Sequence, residues 1–273
     1  MPEELDEKQF TEMIRGRYRE HFDHCYRLHQ IAADSLRRYK GFTGDPYQAA
    51  LVLIYPRAYK SFDSVRRLCE VASCEDAAVI LRCLLNLMVV TRWISLEPQK
   101  RARRYLAWYW VAMHRQAEQF REAIRPAWVA DIQNHFNAVR SQFEYKDGKG
   151  QTKFAKHWYE PEAHSIRDLF KEVGLEKDYE EGYRPLSANE HSDVMAFFAM
   201  VAEAENKTGE RKLEVQSDLF LPHYLRNAFQ YFADIFRICN KAIALADNKK
   251  LEDIVTAGIT FYKADMQAKG IPS

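Results

Sequence analysis

The residues best suited to chemistry in this chain lie between positions 183 and 197. Arg184, Ser187 and His191 are spaced three and four residues apart, so a helix that opens at Pro185 places them on one stripe. A guanidinium, a hydroxyl and an imidazole near a helix N-terminus can hold a phosphate, and the imidazole can also transfer a proton near neutral pH. The stripe therefore predicts a phosphate-directed site. The alternative is an arginine–glutamate surface pair, a capping serine and a hydrogen-bonded histidine, since buried polar clusters are often structural.

A second polar pair interrupts the most apolar segment of the chain, Ser73 to Ile94. Apolar residues run almost without a break from Ala77 to Val90, apart from Arg82 and Asn86. These two residues leave an apolar run well short of the ~20 residues that a membrane span needs, so the segment is predicted to be a central, buried helix. They are four residues apart and share a helix face. Because a buried guanidinium needs a partner or water, they predict a polar site in the core.

Arg101, Arg103 and Arg104 form a basic cluster directly before an aromatic-rich stretch. Arginines beside aromatic side chains can bind single-stranded nucleic acid through phosphate contacts and base stacking. The chain carries 40 lysines and arginines against 39 aspartates and glutamates, so a polyanion would have to be held by a local patch of this kind. RNA is therefore a predicted partner. The competing interpretation, a solvated helix end with the aromatic residues packed in the core, is the commoner arrangement.

A stretch with histidines and a cysteine raises the question of a metal site. His21, Cys25 and His29 follow one another at intervals of four, with His24 close by, so one helix face carries three potential ligands. No acidic residue occupies the expected slot and no second cluster has ligand spacing, which favours a half-buried helix with Cys25 in the core. The sequence also lacks a CxxC, HExxH or GxSxG motif and a glycine-rich phosphate loop. We therefore expect neither a metal nor a cofactor.

Composition and periodicity favour an all-α protein. The 273 residues include Gly 10 and Pro 9, and 47% are hydrophobic, which favours long helices around a packed core. Apolar residues at helical spacing predict one domain, residues 1–273, built as a multi-helix bundle around the central helix. Short irregular insertions are expected at two places. They are a polar, mobile loop at 145–152 and a polar segment at 206–217 with a short strand at 212–215.

Several element boundaries follow from local signals. One long helix is expected from Asp6 to Tyr39. The pair Asp45-Pro46 should open the next helix, which Pro56 either ends or kinks. The acidic stretch from Asp178 to Gly182 is expected to be a loop, and the last long amphipathic helix is expected to begin at Asp218.

The compartment is predicted from the N-terminal segment and the cysteines. The segment that follows Met1 is acidic and lacks the apolar core of a signal peptide. The five cysteines are an odd number without a CxxC pair, which is typical of free thiols in a reducing environment. We therefore expect a cytoplasmic protein that does not associate with a membrane. The cysteines are Cys25, Cys69, Cys74, Cys83 and Cys239.

Two motifs together give the chain a family resemblance. The segment YPRAYKSFDSVRRLCEVASCEDAAVILRCLLNLMVVTRWI and a later Y-x3-S-x3-H, formed by Tyr183, Ser187 and His191, resemble the bacterial helical family called domain of unknown function 5677. In that family an arginine on the central helix is usually followed four residues later by glutamate. Arg82 is followed here by Asn86, which departs from a carboxylate at this position. The resemblance implies a helical fold and a shared polar site that includes Tyr183, with no established activity.

The chain also resembles the HEPN ribonucleases (higher eukaryotes and prokaryotes nucleotide-binding), which are small helical bundles with an Arg-x4-6-His motif. Arg184 and His191 fit this motif with six residues between them. This match lies at a predicted helix start beside other polar residues. The resemblance implies that His191 acts on the ribose 2′-hydroxyl or the leaving oxygen and that Arg184 stabilises the phosphorane charge. It also implies a dimer and no metal. Three other pairs also fit the motif: Arg15 with His21, Arg17 with His24, and Arg19 with His24.

Two functions from different classes follow from these observations. The first is a metal-independent endoribonuclease, a toxin or defence effector, that acts on RNA as a homo-oligomer, with Arg184, Ser187 and His191 as its catalytic centre. The second is a non-catalytic helical binding or assembly module whose buried polar groups fix the packing of the core. One open cleft shared by Arg184 and His191 would favour the enzyme, whereas a network closed to solvent would favour the module.

Overall fold

The computed structural model describes residues 7–41, 44–123, 125–190, 218 and 220–270. Over these residues the chain is mostly helical, with a two-stranded antiparallel hairpin, which confirms the all-α multi-helix bundle. Single turns of 3₁₀-helix at Arg121–Ala123 and Arg140–Phe143 and a π-helical turn at Tyr179–Tyr183 link some of the elements. The elements in chain order are α1 (Glu7–Arg17), α2 (Arg19–Arg38), α3 (Pro46–Glu70), α4 (Cys74–Leu96), α5 (Pro98–Gln119), α6 (Pro126–Val139), β1 (Glu144–Lys146), β2 (Thr152–Phe154), α7 (Ile166–Glu172), α8 (Glu176–Asp178), α9 (Arg184–Glu190), α10 (Leu221–Ile243) and α11 (Asn248–Ala268).

Helix α4 lies at the centre of the packing. It contacts α3, α10, α5 and α9, and side chains such as Leu81, Leu85 and Trp93 are fully buried. In the part of the chain that the structure describes, α4 is the one helix long and apolar enough to cross a membrane, and 61% of its most apolar window is buried inside the fold. The packing around α4 confirms the central, buried helix that the sequence predicted.

Helices α3, α10 and α11 complete the main core through aromatic contacts. The rings of Phe62 on α3 and Phe232 on α10 stack with their centroids 4.7 Å apart. Tyr55, about two turns earlier on α3, also stacks against Phe232. Where α10 meets α11, a Cβ atom at Gly258 would come within 2.2 Å of the ring of the buried Phe229. The two helices thus approach so closely that glycine is the residue that fits at this crossing.

A smaller apolar cluster forms beside the main core where α5 and α6 meet the hairpin. Its buried members are Val111, Phe143 and Ala155. The predicted loop at 145–152 contains the turn of this hairpin, residues 147–151, and its ends belong to the two strands, in which Glu144 lies opposite Phe154. The carboxylate of Asp147 accepts hydrogen bonds from the backbone N–H groups of residues 149 and 151, each at 2.9 Å, so the turn is fixed by its own side chain. The insertion at 206–217 lies outside the described residues.

Two local predictions differ from the structure, and the structure excludes one of the two alternatives for Pro56. The first helix is interrupted at Tyr18, whose hydroxyl donates a hydrogen bond to Asp218 at 3.1 Å, so a distant contact fixes the break. The acidic stretch 178–182 is helical, not a loop, because Tyr179 packs its ring against Phe170. Pro56 lies inside α3 on its exposed face and does not end the helix, which leaves a kink as the remaining alternative.

Candidate polar site beside the central helix

The polar residues of α4 meet the turn that precedes α9. Arg82 donates a hydrogen bond from Nη2 to the hydroxyl of Tyr183 at 2.9 Å, and its guanidinium carbon lies 4.8 Å from the centre of the Tyr183 ring. Tyr183 is held in turn by stacking on Tyr179. Arg82 and Asn86 are both half-buried, and the side-chain oxygen of Asn86 has no hydrogen-bond partner among the described residues. Tyr183 is therefore a described partner of Arg82 on the central helix.

The guanidinium of Arg184 faces solvent at the start of α9. Its side chain is 66% exposed and donates a hydrogen bond from Nη1 to Glu180 Oε2 at 2.7 Å. The other oxygen of Glu180 lies 3.0 Å from a terminal nitrogen of Arg167, whose side chain is also exposed. The hydrogen bond from Arg184, together with the positive charge of Arg167, holds the pKa of Glu180 below its usual value. Two arginines thus hold one carboxylate at the surface, an arrangement that we call the two-arginine clamp.

The remaining members of the predicted stripe are only partly described. Ser187 is half-buried on α9, two residues beyond Pro185 and next to the buried Leu186. His191 lies outside the described residues, and so does the predicted pairing of Arg184 with His191. The spacing of Glu180 and Arg184 on one helix face is a signal that could have identified their ion pair. No spacing signal joins Arg167 to them.

The comparison with known proteins covers this region. A family model, described as Family of unknown function (DUF5677), matches residues 48–208, which is more than half of the chain. The chain belongs to this family. No curated protein and no solved structure matches it. The match confirms the resemblance seen in the sequence, whereas the resemblance to the HEPN ribonucleases has no counterpart among these comparisons.

The basic cluster of this DUF5677 member is divided between the interior and the surface. Arg101 is 4% exposed; it contacts Glu172 at 2.6 Å and the Trp93 carbonyl at 2.9 Å. Arg104 donates a hydrogen bond from Nε to the carbonyl of Trp158 at 2.7 Å and is half-buried. Arg103 is exposed. One of the three predicted RNA-binding arginines therefore lies fully on the surface, because the other two serve contacts within the fold.

The histidines and the cysteine of α2 each have separate partners. Nε2 of His21 lies 3.2 Å from Asp265, and Cys25 is buried with its sulfur 3.4 Å from the hydroxyl of Tyr262. Nε2 of His29 lies 2.7 Å from the hydroxyl of Tyr59. Burial lowers the pKa of His21 and of His29. Over the described residues, no group of three or more His, Cys, Asp or Glu side chains is arranged to hold a metal ion.

Three arginines near the N-terminus also fit the Arg-x4-6-His motif, and the structure gives each of them a contact with a carboxylate. Arg15 pairs with Glu70 on α3, and Arg17 pairs with Asp218. Arg19 is 82% exposed, with its Nε 4.0 Å from the carboxylate of Asp23. The two-arginine clamp, in contrast, lies at the start of α9, where the sequence predicted a phosphate-directed site.

Proposed function

We propose that this DUF5677 protein is a metal-independent endoribonuclease of the toxin or defence type, with its site at the start of α9. The observation that supports the proposal is the two-arginine clamp, in which Arg167 and Arg184 hold the carboxylate of Glu180 at the exposed surface. A phosphodiester carries the same charge as a carboxylate and is bound well by guanidinium groups. An RNA phosphate could therefore replace Glu180 between these arginines.

The proposed chemistry uses residues of this chain alone. His191 acts on the ribose 2′-hydroxyl or on the leaving oxygen as a general base or acid. Arg184 stabilises the negative charge that develops on the phosphorane, and Ser187 donates a hydrogen bond to the same phosphate. Because an imidazole and a guanidinium supply proton transfer and charge stabilisation, the reaction proceeds without a metal. In this proposal the protein acts in the cytoplasm as a homodimer, as the HEPN resemblance implies.

In this proposal Glu180 competes with the RNA phosphate for Arg167 and Arg184. Glu180→Gln should tighten the binding of a single-stranded RNA oligonucleotide by roughly two- to fivefold, because the phosphate no longer has to displace an exposed ion pair and such pairs are weak. Fluorescence anisotropy at low salt measures this affinity. Glu181→Gln is the matched control, since Glu181 is exposed and lies 3.7 Å from a lysine, not from an arginine of the clamp. Equal affinities of Glu180→Gln and wild type would remove the clamp from the proposal.

A second candidate function is the non-catalytic helical module, and one observation favours it. The hydrogen bond and the cation–π contact between Arg82 and Tyr183 tie α9 to the central helix. Such a contact fixes the position of a helix whether or not that helix carries chemistry. The two functions differ in what the loss of His191 does. In the enzyme, removing the imidazole abolishes cleavage and leaves the fold intact, whereas in the module it weakens the fold.

A further inference from the structure

A separate cleft is lined by residues outside the segment matched by the DUF5677 model. It is bounded by the junction of α1 and α2, the start of α10 and the end of α11, and its volume of about 620 Å³ is within the range of small-molecule sites. The walls carry both charged and apolar groups. They are formed by Tyr18, Asp218, Phe220, Pro222, His223, Arg226, Tyr262, Asp265, Met266 and Lys269.

Among the described residues, Arg226 is the charged side chain of this cleft that forms no ion pair, whereas Asp218, Asp265 and Lys269 each form one. The contacts of Arg226 are to the Asn227 side-chain oxygen at 3.1 Å, to His223 Nδ1 at 2.8 Å and to the sulfur of Met266. These contacts use three of the five N–H groups of a guanidinium. No carboxylate of the described residues lies within ion-pair distance of it, and burial lowers its pKa. A desolvated cation with free N–H groups gains strongly from an anion.

The carboxylates of the cleft are already bound elsewhere. Asp265 lies 3.2 Å from His21 and 2.8 Å from Lys269. Asp218 pairs with Arg17 and accepts a hydrogen bond from Tyr18. Neither carboxylate is therefore available to neutralise the guanidinium of Arg226.

The neighbours of Arg226 provide one hydrogen-bond acceptor too few. Nδ1 of His223 faces Arg226, and Nε2 of the same ring lies 2.9 Å from the amide nitrogen of Asn227, so donors face both ring nitrogens. A neutral imidazole accepts at one nitrogen only. Rotating the Asn227 amide by half a turn satisfies the ring but brings an N–H₂ group against Nε of Arg226.

Apolar side chains complete the cleft beside this cationic group. Phe220 is 45% exposed, and Pro222 and Met266 line the same wall. We propose that this cleft binds a small organic anion, with a carboxylate or phosphate head on Arg226 and a flat apolar body against Phe220. An anionic head supplies the missing acceptor, and the aromatic ring gives the body a stacking surface. This site is independent of the function proposed for Arg184.

The proposal is tested with two probes, benzoate and adenosine monophosphate, by isothermal titration calorimetry on the full chain. At least one probe should bind, and Arg226→Gln should weaken it about tenfold or more, since hydrogen bonds to a charged group contribute ~1.5–3 kcal/mol. Phe220→Ala should also weaken the organic probe and leave any binding of inorganic phosphate unchanged.

A matched variant separates the cleft from the general charge of the helix. Arg237 lies on the same helix, α10, and pairs with Glu252, so Arg237→Gln should bind the probe as wild type does. Arg226→Lys is a second test in case Arg226→Gln does not fold. It keeps the charge without the planar fork of the guanidinium, so it should bind the probe less tightly than wild type. Absence of binding for both probes, or equal binding by wild type and the Arg226 variants, would overturn the proposal.

Discussion

Arg101→Leu is expected to lower the free energy of unfolding by about 3 kcal/mol. The guanidinium of Arg101 is buried against the ring of Trp93, with its central carbon 3.7 Å from the ring centre. It also donates a hydrogen bond to the backbone carbonyl of Trp93. The substitution leaves that carbonyl and the nearby carboxylates without their cation. This loss of stability lies at the lower end of the range for a buried ion pair that loses one partner. Glu172 is 40% exposed, so its carboxylate can be solvated by water when Arg101 is removed.

Urea denaturation followed by circular dichroism measures this change. Arg103→Leu is the control, because Arg103 belongs to the same basic stretch and is exposed. It should change the free energy of unfolding by less than ~0.5 kcal/mol. Equal stabilities of the two variants would mean that the ion-pair network around Arg101 contributes nothing to the fold.

Arg184→Ala should lower the rate of RNA cleavage by about 10²–10³-fold, the cost of removing one group that stabilises transition-state charge. Arg184→Lys should recover only part of that rate, since an ammonium lacks the planar fork of a guanidinium. Both variants should keep the stability of the wild type, because the Arg184 side chain is 66% exposed. Cleavage of a labelled oligonucleotide gives the rates, and thermal denaturation gives the stability.

The control for Arg184 is another exposed arginine in an ion pair. Arg237→Ala removes a pair with Glu252 far along the sequence from α9, so its cleavage rate should equal that of the wild type. If Arg184→Ala cleaves as fast as Arg237→Ala, Arg184 has no part in the reaction. The exposed pair with Glu180 would then be a surface contact.

Much of the fold could be predicted because its signals are local. The apolar run from Ala77 to Val90 identified α4, and the cap-then-proline signal at Asp45 located the start of α3. In the structure the Asp45 side chain accepts a hydrogen bond from the backbone N–H of Gln48 at 2.8 Å, as an N-cap residue does. Signals of this kind depend on neighbours in sequence, so they can be recognised without knowledge of the tertiary structure.

The features that could not be predicted depend on distant partners. The break at Tyr18 depends on Asp218, 200 residues away. The burial of Arg101 depends on glutamates 61 and 71 residues further along the chain, and a run of arginines is by itself typical of a solvated helix end. Tertiary contacts of this kind override local preference.

The candidate site could also be predicted only in part from the sequence. Arg82 and Tyr183 were both identified from the sequence, because one interrupts an apolar helix and the other matches a family motif. Their hydrogen bond joins residues 101 positions apart. Arg167 was not identified, since it comes to Glu180 only through the packing of α7 beside the π-helical turn. The pairing of Arg184 with His191 stays a prediction.

The most direct test of the proposed function is cleavage of mixed RNA by the wild-type protein in excess chelator, beside a His191→Ala variant purified in the same way. We expect the wild type to cleave with chelator present and His191→Ala to be about 10²–10⁴-fold slower, with an unchanged circular dichroism spectrum. No cleavage by the wild type, or equal cleavage by the two proteins, would contradict the proposal. Unfolding of His191→Ala would support the helical module in its place.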